Sequence, residues 1–284
     1  MKPFLGIDLT HNKKNEQFNG NEFLIQEPSA ALLNSLLTAS EKATDTVNRS
    51  KLPQPLRVIQ YICGITALLF GGGILKSDVS FSEGYYNAPW VFWGAGIGAV
   101  IWLILWVWGK LKAKSVMETE DSTQTFSRLD GINKAVYAEL GVPGNAKDVD
   151  ILSFFYKIKD GNIKIQEKGM QIAQYFNTEF KFFADSENLY LANLDGKYAF
   201  PLSSVTALRT VKKHIRIAGW NKDDAFNQGI YKQYKLTTDQ YGCVHCKYYH
   251  ILEISHQGEI FGIYIPCYEL PVFEELTGLK AVIQ

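Results

Sequence analysis

Two stretches of the chain run without a charged residue for longer than a soluble helix ordinarily does. Val58–Leu75 (VIQYICGITALLFGGGIL) covers 18 residues and Ala88–Gly109 (APWVFWGAGIGAVIWLILWVWG) covers 22. At about 1.5 Å of rise per residue they predict helices of roughly 27 and 33 Å, enough to cross a hydrocarbon core. In the second span Trp90 and Trp93 stand near one end, Trp106 and Trp108 near the other. Rings placed so form the aromatic belt of a membrane interface, and Tyr85 and Tyr86 extend it. A buried helix of a soluble core rarely runs this far without a charge, and a cleaved leader would begin nearer Met1. The pattern predicts a transmembrane α-hairpin over residues 56–110.

The flanks orient it. Arg49, Lys51 and Arg57 precede the first span, and Lys110, Lys112 and Lys114 follow the second. The loop from Lys76 to Asn87 carries one lysine against Asp78 and Glu83. This asymmetry predicts a multi-pass plasma-membrane protein with both termini cytoplasmic. Gly94 with Gly98, and Ala67 with Gly71, make small-xxx-small surfaces that let helices approach closely. They would close the hairpin on itself or join two copies of the chain. With no Asp, Glu, Lys or Arg inside either span, no ion path is expected.

Residues 1–55 read as a polar cytoplasmic arm holding one amphipathic helix at about 29–48. Ser29 is its candidate N-cap, and Leu32, Leu33, Leu36, Leu37, Ala43 and Val47 recur at helical spacing. Residues 111–150 read as a linker and a short helix ended by Gly141 and Pro143. From 151 to 284 the period changes from helical to alternating. ILSFFYKIKDGNIKIQ predicts a hairpin turning at Asp160-Gly161. Strands follow in TEFKFFAD, NLYLANL and KYAF, in a long run from Val205 to Ile217, and in IYKQYKLT, YHILEIS and EIFGIYI. Tyr268–Thr277 predicts a closing helix, with Pro271 in its first turn and Gly278 as its stop.

Short strands followed by one helix, carried by NLYLAN, GKYAFPLSSV and PVFEELTGL over about residues 177–280, resemble the pleckstrin-homology-like domains of bacterial membrane-anchored proteins. The resemblance implies a mostly-β, α+β cytoplasmic domain: a partly open barrel with a C-terminal capping helix, set behind one or two membrane helices. It also implies a binding scaffold without a built-in reaction. The first turn of the β run, Asp185 to Asn188, is acidic, where a phosphoinositide-binding member would be basic.

Charge enters the picture chiefly by its balance. Lys plus Arg and Asp plus Glu each total 29, which argues against a nucleic-acid binder. Residues 118–284 hold 18 basic and 21 acidic residues, yet a basic cluster stands out at Arg209, Lys212, Lys213, His214 and Arg216. Alternation places Lys212, His214 and Arg216 on one strand face, where they would meet membrane lipid, a protein partner or only solvent.

Four cysteines are too few for a secreted disulfide framework. Cys243-Val-His-Cys246 with His250 suggests a metal site, but extended geometry opposes it. Cys243 and Cys246 would point to opposite faces, and Cys246 and His250 would stand roughly 13 Å apart. Zinc bonds of about 2.0–2.3 Å tolerate no such spread. The sequence has no GxSxG, GxxxxGK[ST], HExxH or strand-helix GxGxxG motif. The expectation is therefore a membrane-anchored cytoplasmic binding module recruiting a protein or lipid surface, not an enzyme and without a cofactor. Two alternatives stand beside it. One is a thiol- or zinc-dependent enzyme using Cys243, Cys246 and His250. The other is a structural subunit, a homo-oligomer included, that packs through Gly94 and Gly98.

Overall fold

A computed structural model describes residues 2–4, 21–76, 81–159, 162–172, 180–218, 233–239 and 241–283. The chain divides into two compact units, Leu33–Ile132 and a discontinuous one made of Met1–Leu32 with Asn133–Gln284.

In the helical unit, α1 (Ala30–Ser50) buries a stripe of Leu36, Ala39, Ala43, Thr46 and Ser50 at alternating steps of three and four. Helices α2 (Gln54–Lys76) and α4 (Pro89–Met117) are each long and apolar enough to cross a membrane. The loop expected between them contains a short helix, α3 (Phe81–Asn87). Small residues set the approach of α2 and α4. A Cβ on Gly94 would lie 2.8 Å from the Phe70 ring, and one on Gly98 would lie 3.0 Å from the Cys63 main-chain oxygen. Ala67 lines the same contact, while a Cβ on Gly71 would meet nothing within 4 Å. Gly94 and Gly98 thus face the partner helix of the same hairpin.

Helix α4 continues past Gly109 to Met117, and the expected linker is mostly α5 (Glu120–Glu139). The Ser122 amide donates to Thr119 Oγ1 at 3.2 Å, an N-cap that divides the two helices. Gly141, at φ +65°, ends α5 in a Schellman motif, with Val142 N–H to the Tyr137 oxygen and Gly141 N–H to the Ala138 oxygen.

Among its described residues the second unit holds three five-stranded sheets. One is ordered β2 (Leu24–Gln26), β8 (Lys197–Pro201), β7 (Asn188–Ala192), β6 (Phe180–Ala184), β3 (Lys147–Val149). The next is β1 (Lys2–Pro3), β14 (Glu259–Pro266), β13 (Tyr249–His256), β9 (Val205–Val211), β15 (Val282–Ile283). The last is β11 (Thr237–Thr238), β12 (Val244–Cys246), β10 (Ile215–Ala218), β5 (Asn162–Ile172), β4 (Leu152–Lys159). Among the described residues no closed barrel forms. Strand β13 is buried on both faces. Leu252 and Ile254 join Phe180, Phe182, Phe200 and Phe273 in one core, while Tyr249 and Ile251 join Met170, Ile215, Ile217 and Cys246 in a second. The closing helix is α6 (Leu270–Thr277), whose Phe273 ring stacks on Phe182 at 4.3 Å.

Several elements depart from the sequence expectation. The arm contributes strands β1 and β2, and Phe4 and Phe23 enter the first core. The run from Val205 to Ile217 is two strands in different sheets, because the chain turns at Lys212–His214 and Lys213 N–H reaches back to the Val211 oxygen. Three consecutive polar residues give neither core a side chain to bury there. Among the described residues of IYKQYKLT, Gln233–Lys235 form a turn, with Lys235 at φ +51°, and Thr237 pairs as a strand together with the following Thr238. The predicted turn at Asp160-Gly161 lies outside the described residues, although β4 and β5 do pair antiparallel on either side of it.

Candidate functional site

The edge of the third sheet gathers most of the chemistry. Strands β10 and β12 pair antiparallel with Arg216 opposite His245, and β11 places Thr237 opposite His245 on its other side. Beside this edge the Asp239 N–H donates to the Cys243 main-chain oxygen at 3.0 Å. Gly242, at φ +72°, permits the turn, and its N–H donates to the Asp239 main-chain oxygen.

Asp239 organises the cluster. Its Oδ1 accepts the amides of Tyr241 at 2.8 Å and Cys243 at 3.0 Å. Its Oδ2 accepts Arg216 Nε at 2.7 Å and His245 Nε2 at 3.3 Å. These four donors, opposed by partial desolvation, hold the carboxyl well below the usual carboxylate range. His245 Nδ1 in turn lies 3.1 Å from His214 Nε2. Tyr241 is 74% exposed, and the Arg216 guanidinium sits 5.4 Å from its ring centre.

The basic cluster is thus divided. Arg216 and His214 belong to this edge, and Lys212 projects from the turn between the strands. Arg209 lies on β9 in another sheet and pairs with Glu253 at 2.8 Å. Pairing removes much of the free positive charge that the sequence suggested.

The thiol–histidine set is also dispersed. Cys243 lies in the loop, and Cys246 is buried with Cys267 in the second core. Contact with Cys267 and burial both push the Cys246 thiol up, away from the thiolate that metals and nucleophilic chemistry require. His250 is 1% exposed on β13, with Nδ1 3.0 Å from Thr210 Oγ1. Its Nε2, toward the Cys267 main chain, lacks a partner of normal hydrogen-bond geometry. Burial lowers this imidazole to about 4. Among the described residues, no three His, Cys, Asp or Glu side chains converge as a metal centre would need.

A groove of about 770 Å³ lies elsewhere, between α1 and α5 in the helical unit. Its lining mixes signs, Lys42, Arg49 and Arg128 against Asp45 and Asp121, with Arg49 and Asp121 3.7 Å apart.

Sequence reasoning missed His245 and Asp239 as partners. In sequence His245 stands only as one of the two residues between Cys243 and Cys246, and no local spacing signals which residue faces it across a strand pair. Comparison of the chain with protein-family models, curated proteins and solved structures returns no match.

Proposed function

We propose that the protein is a membrane-anchored cytoplasmic binding module that recruits a protein partner and has no catalytic role. The observation that carries it is Tyr241 with Arg216, an exposed ring and guanidinium locked together by Asp239 beside the sheet edge. Tyrosine and arginine are the residues most often found at energetic hot spots, and the fixed guanidinium loses little entropy on binding. Two helices fit to cross a membrane supply the anchor. The excess of basic residues on their flanks favours both termini in the cytoplasm. A pleckstrin-homology-like ancestry fits the three-strand meander β6–β8, the later strands β9, β13 and β14, and α6 against their shared core. A protein is favoured over anionic lipid because Arg209 and Arg216 already hold carboxylate partners.

The test is cross-linking and copurification from gently solubilised membranes, with the native chain and Tyr241→Ser compared. A defined protein captured by the native chain and lost from Tyr241→Ser supports the reading. Equal capture by both, or instead flotation with anionic vesicles that Lys212→Ser abolishes, overturns it.

A further inference from the structure

We propose that His214 and His245 form a proton-operated latch, which holds the turn at 212–214 against β12 in neutral solution and releases it in mild acid. The latch is distinct from the docking patch at Tyr241, and only its effect on a partner rests on that reading.

The order of bonding follows from Asp239. Its carboxylate Oδ2 only accepts, so His245 Nε2 carries the hydrogen that lies between them. The other nitrogen of that ring, Nδ1, lies 3.1 Å from His214 Nε2, a hydrogen-bond distance with room for one hydrogen. Two proton counts satisfy this contact. With both rings neutral, His214 Nε2–H donates to the lone pair on His245 Nδ1. One added proton leaves the bond in place, whichever ring holds the charge. A second added proton puts a hydrogen on each facing nitrogen and removes the last lone pair between them. Two N–H groups on two cations then point at each other, and the bond is lost.

The surroundings offer the second charge no relief. Arg216 on β10 stands opposite His245 and donates to the same Asp239 Oδ2. Lys212 and Lys213 share the turn with His214, and Lys247 follows β12. From β11, Thr237 faces His245 and brings no charge. Tyr241 and Cys243 present their amides to Asp239 Oδ1. Among the described residues, Asp239 is the one carboxylate bonded to either ring. It already serves an arginine and the first imidazolium, so a second imidazolium meets only further cations.

The turn is the part that yields. His214 and Lys212 are exposed, and the chain here leaves the sheet of β9 for the sheet of β10. Asp239 keeps its bonds to Arg216 and the two amides whatever the imidazoles do. Acid therefore frees the turn, with its lysines and His214, while Tyr241 and Arg216 stay in place. A partner that spans both the ring and the turn loses the turn.

The experiment follows amide hydrogen exchange of the full chain in detergent micelles at pH 7.5 and pH 5, the range over which histidine changes charge, corrected for the intrinsic rate. The reporter is Lys213 N–H, which donates to the Val211 oxygen within the turn. Its protection should fall roughly tenfold or more at the lower pH, as loss of a hydrogen bond to a charged group implies. The amides of Tyr241, Cys243 and β13 should keep theirs, which separates the latch from general unfolding. His214→Gln should show equal protection at both pH values, because a side-chain amide can donate to His245 Nδ1 or accept from it. Tyr241→Ser should keep the native response, so failure of docking and failure of the latch are told apart. Unchanged protection of Lys213 in the native chain overturns the proposal. So does a loss that spreads to β13, or one that persists in His214→Gln.

Discussion

Arg209 Nε on β9 lies 2.8 Å from the Glu253 carboxylate on β13, a side chain only 5% exposed. The two do not oppose each other in the ladder: Arg209 faces Ile251, and Glu253 faces Ala207. The pair is therefore diagonal, with the arginine 37% exposed at the rim of a sheet whose centre is packed on both sides. Arg209→Met should cost about 2–3 kcal/mol, because it leaves a buried carboxylate without its charged donor. The double variant Arg209→Met/Glu253→Leu should recover most of that loss. Urea unfolding of the full chain in micelles measures both, and equal stability of the single and double variants would show that the carboxylate left without its partner carries no cost.

Gly98 and Gly71 make opposite predictions within the hairpin. Gly98→Val must push against the main-chain oxygen of Cys63 and should destabilise the α2–α4 contact by about 1–3 kcal/mol. Gly71→Val enters open space and should change the same measurement by less than about 0.5 kcal/mol. Helix-pair dissociation in increasing SDS, followed by a donor–acceptor dye pair, checks the contrast.

Gly196 sits where β2 crosses the turn between β7 and β8. A Cβ there would come within 2.5 Å of Leu24 Cδ1 and 2.9 Å of the Gln26 main-chain oxygen. The leucine tip can rotate away, but the oxygen belongs to a paired strand. Gly196→Ala is expected to loosen β2, raising hydrogen exchange at residues 24–26 while leaving β6 and β7 protected. Unchanged exchange at those residues would count against the close fit.

Two buried titratable groups give pH effects of opposite sign. His250 stays neutral down to about 4, while an unfolded histidine takes its proton near pH 6.5. Between these values the unfolded chain binds more protons, so this group's contribution to stability falls as pH drops from 6.5 toward 4. Asp195 behaves the other way. Burial raises it to about 6, and its Oδ2 has no hydrogen-bond partner. The folded chain binds more protons between about 4 and 6, so its contribution falls as pH rises through that window. Asp195→Asn should therefore stabilise the protein at pH 7, by about 1 kcal/mol after allowance for its partial exposure. Urea midpoints at pH 4.5 and 7 for the native chain, His250→Leu and Asp195→Asn would expose either error of sign.

What the sequence revealed follows from where its signals are local. The membrane-length helices are visible because charge is excluded over a continuous window, and α6 because Pro271 and Gly278 mark its ends. The break between YHILEIS and EIFGIYI is likewise local: Gln257 and Gly258 take positive φ, +50° and +79°, in the hairpin of β13 and β14. Helix α5 was legible at its end, at Gly141 and Pro143, but not in its length, because its polar composition resembles a linker and its cap, Thr119, is a single residue. Strands β1 and β2 were hidden because two or three residues carry no period, and their pairing partners lie some 170 to 260 positions away. The division at Lys212–His214 depends on which core each half enters, and no window of sequence contains that. The Asp239–His245–His214 chain joins three segments through cross-strand register, so its members look unrelated until the ladder is known.

One last consequence belongs to the way the chain is shared out. Residues before Leu33 and after Ile132 fold into one body, with β1 on β14 and β2 on β8 stitching the two parts together. A polypeptide whose flanks are knotted into a single domain can pass through a bilayer only an even number of times between them. Under the proposed anchoring, a lone traverse would leave Phe4 and Phe23 stranded on the far side from the pocket they fill.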